Sequence, residues 1–456
     1  FTVLLIPSTE PKSFFINSIT IFNNLNYGKI GLNACELIKA LLFQCDTYDI
    51  AKHEIVKKDA LSRSTKWSLM EDELQDKNFW GMLSPNEESE LHLELILKFV
   101  AEDIDAIMKY SENKKIPQKD SDWLFNIFNY AICDNDFLDY AHTQQNKKTE
   151  LLSRIEYIWN EILKVYAVLS NWFNNRDLYH KIGLLICLRS KKEKQLNVIR
   201  ELYSQYKKST KTTFDEYLSK QIGEYVKITS KKEIPGTKSK IIKTLEELRY
   251  IEPDDYNDIR RILLLHNVQL TIENSSEKSR FPFYEAPKLN SLEHIHPQHL
   301  DLDEIKFDDL KKWFDTRKAI LKGIKKTDLK NAINELENNL TDENTYISNK
   351  AQCITDLDIM DKYFDELAHI DPDTLHSLKN MALVDTPTNS ALSNNLIDKK
   401  RQILKELQKE HYIPIGTWNA FNKFYSNDVG DLKYWRELDR DAYFADIKRV
   451  YELYIK

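Results

Sequence analysis

Apolar residues recur at three- and four-residue intervals along most of this chain, the spacing that lines one face of a helix. Leu91, Leu93, Leu95, Ile96, Phe99 and Val100 make one such face, and Ile155, Ile158, Trp159, Ile162, Leu163 and Tyr166 another. The pattern predicts repeated helices from about residue 60 to 275, and charged ones again from 303 to about 375. Between them, the apolar run from Arg261 to Ile272 reads as a helix running into a strand, followed by Arg280-Phe-Pro-Phe283. The first 60 residues or so read as a strand (Phe1–Pro7), a connector with turn chemistry at Asn26–Lys29, and a helix carrying Glu36–Leu42. Asn33 is placed to cap that helix. Lys231–Lys240, with Pro235-Gly236, reads as a loop, and a helix from Asp441 to about Tyr454 closes the chain.

At 456 residues the chain is too long for one ordinary core, so two or three domains are expected. Only 9 glycines and 12 prolines punctuate it, which supports the helical reading. No apolar run is long enough to span a bilayer, so no membrane partner is expected. The five cysteines are scattered without a C-x-x-C pair, which argues against disulfides and structural zinc and fits a reducing cytosol. The first residue is Phe1, with no basic leader or cleavage site, so the numbering is expected to begin inside a longer polypeptide. A net charge of -7 counts against nucleic acid unless lysines cluster locally. They do at Lys191–Lys194, Lys207-Lys208, Lys231-Lys232 and from Lys311 to Lys330, although solvated helix faces explain any one of these as well.

The densest candidate chemistry is Ser291-Leu-Glu-His-Ile-His-Pro-Gln-His299. A phosphodiesterase needs a base to activate water and a cation to stabilise charge on phosphate; an imidazole suits the first task and a carboxylate or amide oxygen can hold Mg²⁺ for the second. A polar surface loop, or a zinc site through His294, His296 and His299, are the alternatives. On a strand Glu293 and His294 would face opposite ways, so a turn or bulge must bring them together. The second element is Asn380-Met-Ala-Leu-Val-Asp-Thr-Pro-Thr-Asn389, then Ser-Ala-Leu-Ser-Asn394 and Lys399-Lys400-Arg401. It reads as a short strand, a polar turn holding Asn389, and a helix. Tyr179-His180 reads as part of an apolar helix with a satisfied core histidine, and His376 lies close enough in sequence to support the motif.

Glu-His-Ile-x-Pro-Gln followed later by Asn380 and Asn389 resembles the ββα-metal fold of HNH nucleases, and the fuller string resembles the nuclease half of GmrSD-like type IV restriction endonucleases. The resemblance implies His294 as general base, Glu293 and Asn389 as ligands of Mg²⁺ or Mn²⁺, and Asn380 as support for the histidine-bearing loop. It makes Lys400, with Lys399 and His296, candidate nucleic-acid contacts. Phe22–Lys29 with Glu36–Ala40 resembles the tail of the family's ParB/sulfiredoxin-like NTPase module. Asp76–Trp80, Leu178–Gly183, Arg280–Phe283 and Ile413–Thr417, with Trp435 and Asp439, are similar to its recurring strings. The sequence departs from the family in lacking Asp-Gly-Gln-Gln-Arg, in having Glu293 where Asp is common, and in the long insertion between Glu293-His294 and Asn389.

The expected architecture is a mainly α, multidomain protein: an α+β remnant at 1-60, a helical domain at 61-285, and an HNH nuclease domain at 286-456 with a helical insertion at about 303-375. The expected function is cytoplasmic cleavage of foreign or base-modified phage DNA in prokaryotic defence. A homo-oligomer or a separate NTPase subunit is the expected protein partner. The rival is a non-catalytic helical sensor or scaffold that keeps the HNH fold to bind DNA or a partner.

Overall fold

The computed structural model describes residues 33–44, 53–85, 92–109, 119–134, 137, 151–189, 194–235, 239–274, 279–298, 306–426 and 434–455. Phe1–Pro7, the Asn26–Lys29 turn, the Phe22–Lys29 string and His299 lie outside the described residues. The protein is mainly helical, as the periodicity requires, and divides into two compact units. One holds the described residues of Phe1–Asn175 and Glu193–Lys208, the other those of Arg176–Lys192 and Ser209–Lys456. The expected boundary at 285 matches neither edge, because the chain on both sides of it belongs to the second unit.

The first unit is built from α1 (Ala34–Gln44), α2 (His53–Leu74), α3 (Lys77–Leu83), α4 (Leu93–Lys109), α5 (Trp123–Cys133) and α6 (Leu151–Asn174). The chain leaves it through α7 (Arg176–Arg189) and returns as α8 (Gln195–Lys208). Asn33 does cap α1: its side chain accepts from Glu36 N at 2.9 Å and its own N–H donates to the Glu36 carboxylate. Of the two apolar stripes read from sequence, Leu93, Ile96, Phe99, Val100, Ile155, Ile158, Trp159 and Ile162 are buried, while Leu95, Leu163 and Tyr166 are half-buried. Trp67 of α2 stacks on Trp159 of α6 at 6.4 Å between centroids, with Phe43 edge-on to both.

The second unit starts from α7 and α9 (Lys211–Val226), continues through a hairpin of β1 (Lys231–Glu233) and β2 (Lys240–Ile242), and reaches α10 (Pro253–Glu273). The hairpin replaces the expected loop. α10 is one unbroken helix where a change to strand was expected: Ile259, Ile262, Leu263, His266 and Val268 are all buried. A helix buried on several sides carries a nearly continuous apolar run, and such a run mimics a core strand.

Two of the recurring strings meet here. Tyr179 Oη donates to Phe281 O at 2.7 Å, and Phe281 N donates to His180 Nε2 at 3.0 Å. A Cβ at Gly183 would overlap the Phe283 ring, so glycine there lets the segment before β3 lie flat on α7.

β3 (Ser291–His294) pairs antiparallel with β4 (Met381–Val384), with Glu293 opposite Ala382 and His294 opposite Met381. The intervening chain forms α11 (Phe307–Leu321), α12 (Thr327–Asn339), α13 (Glu343–Ser348), α14 (Lys350–Ala368) and α15 (Pro372–Leu375). These charged helices keep a core of their own, with Trp313, Phe314, Leu336, Leu357 and Phe364. After β4 come α16 (Thr386–Leu392), α17 (Ile397–Leu407), α18 (Ile415–Phe421) and α19 (Glu437–Tyr454). In this register the Met381 and Leu383 carbonyls point away from β3. Tyr443 Oη donates to the first at 3.0 Å and Thr417 Oγ1 to the second at 2.6 Å. Two side chains thus take the outward carbonyls of the buried strand β4 without a third strand.

Candidate functional site

The loop that follows β3 is held by one side chain. Asn380, fully buried, accepts from His296 N at 2.8 Å and donates to His296 O at 3.1 Å and Leu375 O at 2.9 Å. Ile295 N donates to the Asn380 carbonyl at 2.9 Å, so the residue continues the β3–β4 ladder and pins the chain beyond it.

His294 lies against Tyr250, whose ring meets the imidazole edge-on at 4.6 Å between centroids. Gln298 Nε2, an amide donor, lies 2.8 Å from His294 Nε2, which accepts and so carries the ring's lone pair. His376 Nδ1 approaches the same nitrogen at 3.3 Å. Burial, together with the charges of Lys400, His376 and His296, pushes the imidazole down to about 2. The ring is therefore neutral throughout the physiological range.

Glu293 and Lys400 form a buried ion pair through Oε1, and Lys400 Nζ also donates to the His294 carbonyl at 2.6 Å. No hydrogen bond among the described residues takes Oε2. Burial holds the Glu293 carboxyl above its ordinary range and the Lys400 ammonium below its own, against their mutual attraction. Although strand alternation separates Glu293 from His294, the two share neighbours. The Glu293 charge reaches Tyr250, and the Lys400 charge reaches His294.

Lys400 was expected on a phosphate, but it is fully buried. The sequence held a sign of this: Ile397, Lys400 and Leu404 occupy one buried stripe of α17. His296 is likewise buried, only 2 % exposed, stacked on Phe364 at 5.0 Å, and its Nε2 meets Asp365 at 3.1 Å. Neither side chain is at the surface. Lys399, the third candidate contact, is exposed.

Asn389 sits inside α16 and not in a turn, because Asp385 caps that helix from Thr388 N at 2.8 Å and Pro387 favours its first turn. α16 packs on β3. The Asn389 Oδ1 is buried and has no hydrogen-bond partner. An acceptor left unmet in this way is costly unless a donor or cation fills it.

The zinc alternative through three histidines is not supported by the two that are described, since His294 turns to Tyr250 and His376 while His296 turns to Asp365. Among the described residues no three His, Cys, Asp or Glu side chains gather in a metal-holding group. A set of one carboxylate and one amide oxygen, completed by substrate phosphate and water, is a magnesium-type set, and Glu293 Oε2 with the orphaned Asn389 Oδ1 fits it chemically.

Tyr250 escaped sequence reading altogether. It reaches the site because Tyr250 N donates to His376 O at 2.7 Å and Arg249 bridges Ser377, a pairing across more than a hundred residues that local pattern does not reveal. Among the described residues no helix is long and apolar enough to cross a membrane. No family model, curated protein or solved structure matches the chain.

Proposed function

We propose that the second unit carries a ββα-metal (HNH) nuclease site, formed by β3, β4 and α16, and that the protein hydrolyses DNA phosphodiester bonds. The observation that carries the reading is a buried imidazole at the head of a loop pinned by Asn380, with an unmet amide oxygen on the helix that packs against its strand.

His294 Nε2 would take a proton from the attacking water once substrate displaces the Gln298 amide. The Gln298 amide faces Nε2, so the tautomer that accepts there is the one ready to take the proton. Asn380 fixes the height of the loop above β4, and Tyr250 limits the ring's rotation by lying against it. Glu293 and Asn389 would hold Mg²⁺ or Mn²⁺. When bound, that cation supplies positive charge to the phosphate and the leaving oxygen. Lys400 balances Glu293 and holds the His294 carbonyl, so the two residues keep their places before substrate enters.

The biological role that follows from this reading is cleavage of foreign or modified phage DNA in the cytoplasm, with a homo-oligomer or an NTPase subunit as partner. The rival, a non-catalytic sensor or scaffold, draws on one observation: Lys400 already neutralises Glu293, as an internal cation would.

Incubation of the full chain with supercoiled plasmid, with Mg²⁺ or Mn²⁺ and then with EDTA, tests the reading. Nicking that needs the metal is expected. Binding of the plasmid without nicking, across metals and modified or unmodified DNA, would favour the scaffold.

A further inference from the structure

The turn between α11 and α12 presents charge that the site itself does not use. From Lys311 to Lys330 there are seven lysines and one arginine against two aspartates. Some of these cations are accounted for locally. Arg317 is buried on Asp361 at 3.0 Å, Lys312 pairs with Asp309 at 3.3 Å, and Lys318 pairs with Glu337. Lys322, Lys325 and Lys326 are exposed, and none makes an ion pair among the described residues. Space around Gly323 is open. A solvated helix face intersperses lysines with acidic partners, as the flanking helices do; three unpaired lysines in five residues do not follow that pattern.

One helix attaches this turn to the site. On α14, Asp361 binds Arg317 of α11, Tyr363 Oη donates to both carboxylate oxygens of Asp328 at the start of α12 at 2.9 and 2.7 Å, and Asp365 meets His296 Nε2 at 3.1 Å. These attachments span only about 6 Å of helix rise. The same helix therefore braces both the turn and the loop that follows β3. Lys362, exposed and with its charge reaching Asp328, adds to the same edge. Single-strand binders add exposed aromatic rings on which bases stack, and the turn from Lys322 to Lys326 contains none.

From this we infer that Lys322, Lys325 and Lys326 track the phosphate backbone of duplex DNA beside the His294 site; the location of the duplex rests on the nuclease reading, the surface itself does not. The test is fluorescence anisotropy of a labelled 25-base-pair duplex with the full chain in EDTA, titrated across salt. Each lost phosphate contact removes about 0.9 from the slope of log affinity against log salt, so Lys322→Gln, Lys325→Gln and Lys326→Gln together should lower it by about 2–3. At 100 mM salt the affinity should fall at least tenfold. A matched triple, Lys207→Gln, Lys208→Gln and Lys211→Gln, should leave the slope unchanged, with unfolding curves showing that both variants fold. An unchanged slope in the turn variant, equal loss in the matched one, or stronger binding of a single-stranded RNA than of the duplex would overturn the inference. Because cleavage is suppressed throughout, these results are independent of whether wild type nicks DNA with Mg²⁺.

Discussion

Two asparagines nine residues apart should respond in opposite ways to the same substitution. Asn380→Ala removes an acceptor from His296 N and a donor from two carbonyls, His296 O and Leu375 O, in a position without solvent exposure. A buried polar group left unmet costs about 1–3 kcal/mol. Three such groups, partly relieved by relaxation of the loop, give about 3–5 kcal/mol. That is a large share of the roughly 5–15 kcal/mol that holds a domain folded, and for a unit of this size it lowers Tm by about 6–15 °C. Asn389→Ala removes a buried oxygen that has no partner, so the apoprotein should be no less stable and up to about 1–3 kcal/mol more so, while metal-dependent cleavage is lost. Urea unfolding followed by circular dichroism measures both variants, and a plasmid assay at a temperature where both are folded measures the second effect. Asn380→Asp is a further control: it keeps the acceptor for His296 N but turns a carboxylate oxygen toward two carbonyls, so it should be no more stable than the alanine variant. The reasoning fails if Asn380→Ala unfolds within 1 kcal/mol of wild type, or if Asn389→Ala is the more damaging of the two to stability.

Lys400→Met leaves Glu293 buried without its partner and should cost about 3–5 kcal/mol, whereas adding Glu293→Met should restore most of that loss; denaturant midpoints of the single and double variants decide it. His180 is buried and pushed down to about 4 by burial, so the unfolded chain binds the extra proton between about pH 6.5 and 4. Its contribution to stability is present above about pH 6.5 and is lost as pH falls toward 4, up to about 3 kcal/mol; His180→Gln should flatten that part of the stability–pH curve, and an unchanged curve would remove the histidine from the account. Chelation should abolish cleavage without changing the unfolding midpoint of the apoprotein, since the β3–β4 pair and its Asn380 clasp need no cation to form.

Much of this was legible in the sequence where a residue's role is local. The helical periods around Leu93 and Ile158, the Asn33 cap and the satisfied core position of His180 follow from spacing and chemistry within a few residues. What escaped depends on partners far away along the chain. Lys400 looked like a surface lysine although it shares a stripe with Ile397 and Leu404, because charge was weighed above position. His296 looked like a contact for nucleic acid because nothing near it announced Asp365 on α14. The Arg261–Ile272 run misled for a related reason: apolar residues on several faces hide the period of the helix they belong to.

Single-turnover cleavage of a labelled duplex with Mg²⁺, comparing wild type with His294→Ala, tests the central claim most directly. Loss of at least a hundredfold in rate with unchanged duplex affinity is the predicted result, consistent with removal of a general base. Equal rates would show that His294 is not the base and that the β3–β4 loop is not the site of chemistry.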